Sequence, residues 1–228
     1  DLKGYKLTND DYQLVDEITG KKLVWIQKDK VKDFWIKGMS PAEYIGEAIK
    51  YIAVREVSDI MDYNDINKYV EKVIETNSFL VDNIIPDFIT ASDLKYLLTC
   101  LIRERVSVKN IVYIFEKIND YANEPTKEDL LDKVRLALSK HIVKDLAENN
   151  ELKVIEFSDE TLDKIYSFFK EDEDEAIVRI EADQVQEIVD KIAKFAKSKK
   201  IANPTLVVPM DIRHMVFVIL AEFVRNIT

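Results

Sequence analysis

The sequence is short of the residues that build reactive or tightly turned features. In 228 residues it holds one cysteine, two histidines, four glycines and five prolines. A single thiol, Cys100, forbids any intramolecular disulfide, so the fold must rest on an apolar core. Cys100 itself falls on the apolar side of a helical pattern, where a thiol behaves as a small hydrophobe and not as a nucleophile. Four glycines are too few for a phosphate cradle of backbone N–H groups, and no Walker, Rossmann or G-x-S-x-G pattern occurs. His141 and His214 have no second histidine or cysteine one turn away, so neither reads as a metal ligand. His141 is expected late in a helix, where a cation suits the dipole. Long apolar runs are missing too: nothing approaches the roughly 18 residues of a membrane span, and no signal peptide opens the chain. On these absences no catalytic residue, metal or cofactor is expected, and the chain is not expected to be an enzyme.

What is present is ordinary for a soluble globular protein: 33% charged and 47% hydrophobic residues. Sparse glycine and proline favour long helices. The 43 acidic residues outnumber the 33 basic ones, for a net charge of −10, which argues against nucleic acid as a partner. The chain opens at Asp1 without a methionine, and apolar Val224 and Ile227 still arrive at its end. It is expected to be a segment of a longer protein.

The densest pattern runs from Asp93 to Ala122. Leu94, Leu97, Leu98, Leu101 and Ile102 form one helical stripe, and Val108, Ile111, Val112, Ile114, Phe115 and Ile118 form a second. Between them stands a charged elbow, Arg103-Glu104-Arg105, followed by Ser107 as the expected N-cap of the second helix.

Before this hairpin, Tyr5–Leu7, Leu23–Ile26 and Phe34–Ile36 read as short strands, with a turn at Thr19-Gly20. Ser40-Pro41 with Glu43 reads as a capped helix start, its buried side carrying Tyr44, Ile45, Ala48, Ile49, Ile52 and Ala53. A further helix from Ile66 is expected to stop at Thr76-Asn77-Ser78, with a linker from Phe79 to Ile89. Thr126 caps one long helix through Leu146. Beyond it, Leu152–Phe157 and Thr205–Val208 read as strands, Ile177–Ile180 as another, and helices follow Ser158, Val185 and Met210. The acidic run from Glu171 to Glu175 reads as a solvated loop, lacking the spacing and glycine of an EF-hand. Asp211 is placed to complement the dipole of the last helix.

The segment LLTCLIRERVSVKNIVYIFEKINDYA resembles the L-x-x-L-L-x-E-x-V-[SP]-[IV]-R-[DN] stretch of the FlhA/InvA (FHIPEP) family, the export-gate proteins of type III secretion. Leu23–Ile26, Ser40–Ile45, Val134–Ile142 and Leu206–Arg213 are similar to further family elements in the same order. The resemblance implies an α+β, mainly helical cytoplasmic domain of several subdomains, with a central helical subdomain and a small C-terminal α/β subdomain. Residues 1–57 would belong to the first and second subdomains, 58–136 to the helical third and 137–228 to a C-terminally truncated fourth.

That kinship also implies an inner-membrane protein whose cytoplasmic part, this segment included, assembles as a homo-oligomeric, nine-membered ring. Its implied partners are secretion chaperones, export substrates and other export-apparatus components, including the secretion ATPase complex. A partner-binding pocket would map to Asp16, Thr19, Gly20 and Glu47, where Thr19 replaces the family's phenylalanine. Subunit contacts would map to Arg103, Glu104, Arg105 and Lys109. The Asp211-Ile212-Arg213 start and the Asn149–Leu152 return resemble the injectisome branch more than the flagellar one. The alternative is a soluble metal-dependent enzyme with an acidic site.

Overall fold

The computed structural model describes residues 6–16, 22–33, 38–147, 149–168, 182–199, 201, 204–224 and 227. The architecture is α+β and mainly helical, and it divides into two compact units, residues 1–60 and 61–228.

In the first unit, β1 (Tyr12–Val15) pairs antiparallel with β2 (Lys22–Trp25), Leu14 opposite Leu23. Only β2 is foreseen by the sequence. Lys6 and Leu7 are not in a strand, and Tyr5, Thr19-Gly20 and Phe34–Ile36 lie outside the described residues. Two helices follow, α1 (Lys28–Asp33) and α2 (Pro41–Arg55), and then the short α3 (Val57–Ile60). Helix α2 starts as its sequence dictates. Ser40 Oγ accepts from the Glu43 N–H, and the Glu43 carboxylate accepts from the Ser40 N–H. The expected buried stripe does not form: no residue of α2 is buried, and Ile45 and Ile49 are 55% and 61% exposed. Periodicity identified the helix but not whether anything covers its apolar side.

The second unit begins with a long helix, α4 (Tyr63–Ile84), capped reciprocally by Asp62 and Asp65. It continues past the point where the sequence suggests a stop. Thr76 turns its hydroxyl back onto the Val73 carbonyl at 3.2 Å, and Asn77 leaves helical geometry (φ −160°, ψ 70°). The result is a kink, not an end, because Leu80, Val81 and Ile84 beyond it are buried. Their burial outweighs the poor local propensity of Thr-Asn-Ser. The expected linker is therefore helical to Ile84.

Helices α5 (Ala91–Arg103), α6 (Ile111–Asp120) and α7 (Lys127–Ala137) complete the helical core. Leu94, Leu98, Leu101, Ile114, Phe115, Ile118, Leu131 and Val134 are wholly buried. Thr126 caps α7 as expected, and Thr90 caps α5. The cap of α6 is Asn110, not Ser107; the side chain of Asn110 accepts from the Tyr113 N–H at 3.4 Å. The single long helix expected from Thr126 is two, since Leu138 separates α7 from α8 (Ser139–Leu146). Leu138 is itself 3% exposed, so the i, i+4 register runs on through the break and conceals it. His141 consequently sits early in α8, not late in a helix.

The remainder is α/β. Strand β3 (Val154–Glu156) pairs in parallel with β4 (Thr205–Val207). Parallel neighbours need a long crossover, and α9 (Asp159–Phe168) and α10 (Ala182–Lys199) lie within it. Helix α11 (Met210–Ala221) follows β4. Ile155, Ile165, Ile188, Ile192, Ile212 and Val216 join in one apolar cluster. The run 171–175 and the Ile177–Ile180 strand lie outside the described residues.

Candidate functional site

The elbow between α5 and α6 has a defined geometry. The Arg105 N–H donates to the Ile102 carbonyl at 2.9 Å and the Val106 N–H to the Leu101 carbonyl at 2.8 Å. Together these bonds form a Schellman cap. Such a cap needs a left-handed residue, and Arg105 supplies it with φ 60° where glycine is usual. Val106 is then buried, next to the α5 core.

Holding the chain in this turn drives Glu104 inward, to 1% exposure. Its carboxylate accepts from Arg213 Nη1 at 2.7 Å, lies 3.1 Å from Arg135 Nε and 3.2 Å from His214 Nδ1. Arg213 also donates from Nε and Nη2 to Asp132 Oδ1, at 3.0 and 2.6 Å. Three helices, α5, α7 and α11, are thus tied through one carboxylate. Burial pushes the Glu104 carboxyl up, but the His214 hydrogen bond and the two guanidiniums outweigh it and hold it below the ordinary carboxylate range. Burial likewise opposes the charge on Arg213, and Glu104 and Asp132 outweigh it. Arg135 goes the other way: burial dominates and lowers it, and its Nη1 has no hydrogen-bond partner among the described residues.

Glu104, expected from the resemblance at a subunit contact, meets Arg135, Arg213 and His214 of its own chain. A signal was available, because Leu97, Leu101 and Glu104 share one helical stripe. Asp132, Arg135, Arg213 and His214 had no such signal, since they are brought to Glu104 only by tertiary packing.

The outer side of the elbow is different. A groove of about 210 Å³ lies between it and α8, lined by Arg105, Lys109, Lys144 and His141 over a floor that includes Val106, Ile142 and Leu146. Arg105 and Lys109 are two of the residues expected at a subunit contact; Lys144 and His141 were not singled out for it. The His141 ring also stands 5.3 Å from that of Tyr113. Arg103, half-buried at the end of α5, is not among the groove residues.

Of the expected pocket, Asp16 is buried and accepts from Tyr44 Oη at 2.8 Å. Tyr44 meets Trp25 edge to face at 5.7 Å, fixing α2 against the hairpin. Glu47 is exposed on α2, and Thr19 and Gly20 lie outside the described residues. Cys100 is buried, its thiol pushed up to about 11 by burial and then by the Glu104 charge. Among the described residues no group of three or more histidines, cysteines and carboxylates is arranged to hold a metal. Likewise no helix among them is long and apolar enough to cross a membrane.

The FHIPEP family model matches residues 3–228. The chain belongs to the FHIPEP family. The FlhA/InvA kinship implied by the sequence motifs therefore holds, and with it membership among the type III secretion and flagellar export proteins. Over 200 residues the chain is 26% identical to the flagellar biosynthesis protein FlhA of Bacillus subtilis (strain 168). That match covers 86% of this chain and 30% of FlhA, so the chain spans less than a third of that relative. Its fold is similar to the Shigella flexneri MxiA protein, with a TM-score of 0.75 at 18% identity over 95% of this chain and 68% of that one. It is also similar to nonameric EPEC SctV-C, with a TM-score of 0.71 at 16% identity over 98% of this chain and 70% of that one.

Proposed function

We propose that this chain is cytoplasmic-side domain material of the inner-membrane export gate of a type III secretion system, of the injectisome branch. Its work is binding and assembly, without catalysis: it forms a homo-oligomeric ring that receives chaperone–substrate complexes and helps pass them to the export channel. The family match over residues 3–228 carries this reading. The ring is supported by the similarity in fold to SctV-C, a protein described as nonameric.

Within that reading residues 58–136 are the ring-forming subdomain and 137–228 the fourth. Arg103, Arg105 and Lys109 face the neighbouring subunit. Charges clustered at a turn set register and partner choice more than affinity. Glu104 supports them from inside by holding the elbow. Asp16, Thr19, Gly20 and Glu47 belong to a pocket for chaperone-bound substrates, and the secretion ATPase complex is a further partner.

Two experiments test this. Deleting the gene in its source bacterium should abolish secretion of injected proteins and leave motility intact; loss of flagella instead assigns the protein to the flagellar branch. Reversing the elbow charge with Arg105→Glu should weaken ring formation by the whole gene product, and unchanged assembly removes the elbow from the contact.

A further inference from the structure

The elbow groove has a counterpart elsewhere on the same unit. Phe79 is 69% exposed and Phe88 51%, two large aromatic side chains nine positions apart at the surface of this unit. Both stand beside exposed carboxylates, Phe79 one turn from Asp82 and Phe88 next to Asp87. No basic residue occurs between Phe79 and Thr90. The kink at Asn77 sets the direction of this last part of α4. It presents a knob that is aromatic and acidic, whereas the groove is apolar at its floor and basic at its rim.

The two match in size as well as in charge. A groove of about 210 Å³ exceeds the ~150 Å³ cavity that accepts a benzene ring, and it falls below the ~300–1,000 Å³ of small-molecule sites. It is of a size for one aromatic side chain. Among the described residues that line it, Arg105, Lys109 and Lys144 stand with one carboxylate, Asp145. On a chain of net charge −10 such a basic patch gives two copies that otherwise repel an attractive contact.

The knob is too far away to fill its own groove. Asn83 Nδ2 donates to Asn119 Oδ1 at 2.5 Å, fixing the end of α4 at the C-terminal end of α6. The groove lies at the N-terminal end, against Asn110 and Tyr113. Ten residues of helix separate them by roughly 15 Å. A knob on one copy and a groove on the next make a head-to-tail contact, which closes into a ring when its rotation closes.

We propose that the Phe79–Phe88 knob of one copy seats in the Arg105–Lys109–Lys144 groove of the next, Phe79 on the apolar floor and Asp82 or Asp87 against the basic rim. This rests on the ring reading above and names both halves of the contact.

The test uses the whole gene product, with particle masses counted in solution and melting temperature as the folding control. Wild type should assemble. A knob variant, Phe79→Ser with Asp82→Lys, and a groove variant, Lys109→Glu with Lys144→Glu, should each lose assembly by at least tenfold in concentration while melting as wild type. Mixed together they should give a dimer and nothing larger, since only one intact knob and one intact groove meet. If the Phe79 variant melts early, Phe88→Ser replaces it. Variants that melt and assemble as wild type overturn the knob-and-groove contact and leave the ring reading standing. A wild type that stays monomeric overturns both.

Discussion

Glu104 and Arg213 lie 109 residues apart and meet at 2.7 Å, joining the end of the helical core to the first turn of the last helix. Around that contact two carboxylates, Glu104 and Asp132, face two guanidiniums, Arg135 and Arg213. Removing one member leaves an uncompensated charge in a site from which water is largely excluded. Glu104→Gln, which keeps the shape and deletes the charge, is expected to cost about 3–5 kcal/mol. Urea unfolding checks it, and a wild-type midpoint would show the charge to be dispensable.

The same carboxylate adds a pH dependence of defined sign. Its folded pKa is depressed, so its stabilisation is complete above the ordinary glutamate value of about 4.3. That contribution is lost as pH falls through the folded value. The stability gap between wild type and Glu104→Gln should therefore be constant from pH 7 to 5 and narrow below about pH 4. Thermal melts of the two proteins at matched pH would reveal it, and a gap unchanged down to pH 3 would contradict it.

Arg105 sits in the left-handed region at φ 60°. A β-branched side chain tolerates this worst and glycine best. Arg105→Val should destabilise by about 1–2 kcal/mol, and Arg105→Gly by little or nothing. Chemical denaturation of the pair decides, since equal losses would mean that side-chain contacts and not backbone geometry dominate.

Thr90 and Asp93 cap α5 reciprocally, with the Asp93 carboxyl held low by its bonds to the Thr90 side chain and backbone. Thr90→Ala should cost about 1 kcal/mol, and Thr90→Ser should recover most of it. Amide exchange in the first turn of α5 is the sensitive readout, expected to speed up in the alanine variant alone.

Cys100 is buried, and burial pushes its thiol up to about 11. Alkylation by iodoacetamide at pH 8 should accordingly be slow in the folded protein and fast in urea. Rapid labelling of the native state would require α5 to open locally, and would contradict the packing described.

The elements whose signals are local were legible in the sequence. Ser40-Pro41 with Glu43, and Thr90 with Asp93, announce helix starts because a cap is made by residues within one turn of each other. The stripes of the α5–α6 hairpin were legible because burial there follows the helical period. Thr76-Asn77-Ser78 misled, since its local preference to end a helix is small beside the burial of Leu80, Val81 and Ile84. Leu138 misled in the opposite way: a buried leucine kept the period across a real break. The stripe on α2 was correctly periodic, but period says nothing about what lies opposite it.

Of the site, composition and spacing determined that the elbow is charged, that it follows an apolar stripe and that the chain as a whole is acidic. Motif order was enough to indicate the family. Which charges face inward was decided only by tertiary structure. Glu104 turns into the core and Arg105 to the groove because Arg105 itself takes the left-handed conformation, and a buried carboxylate persists only where cations from α7 and α11 arrive to meet it. Those cations come from positions 31 and 109 residues downstream, a distance over which no local pattern carries information.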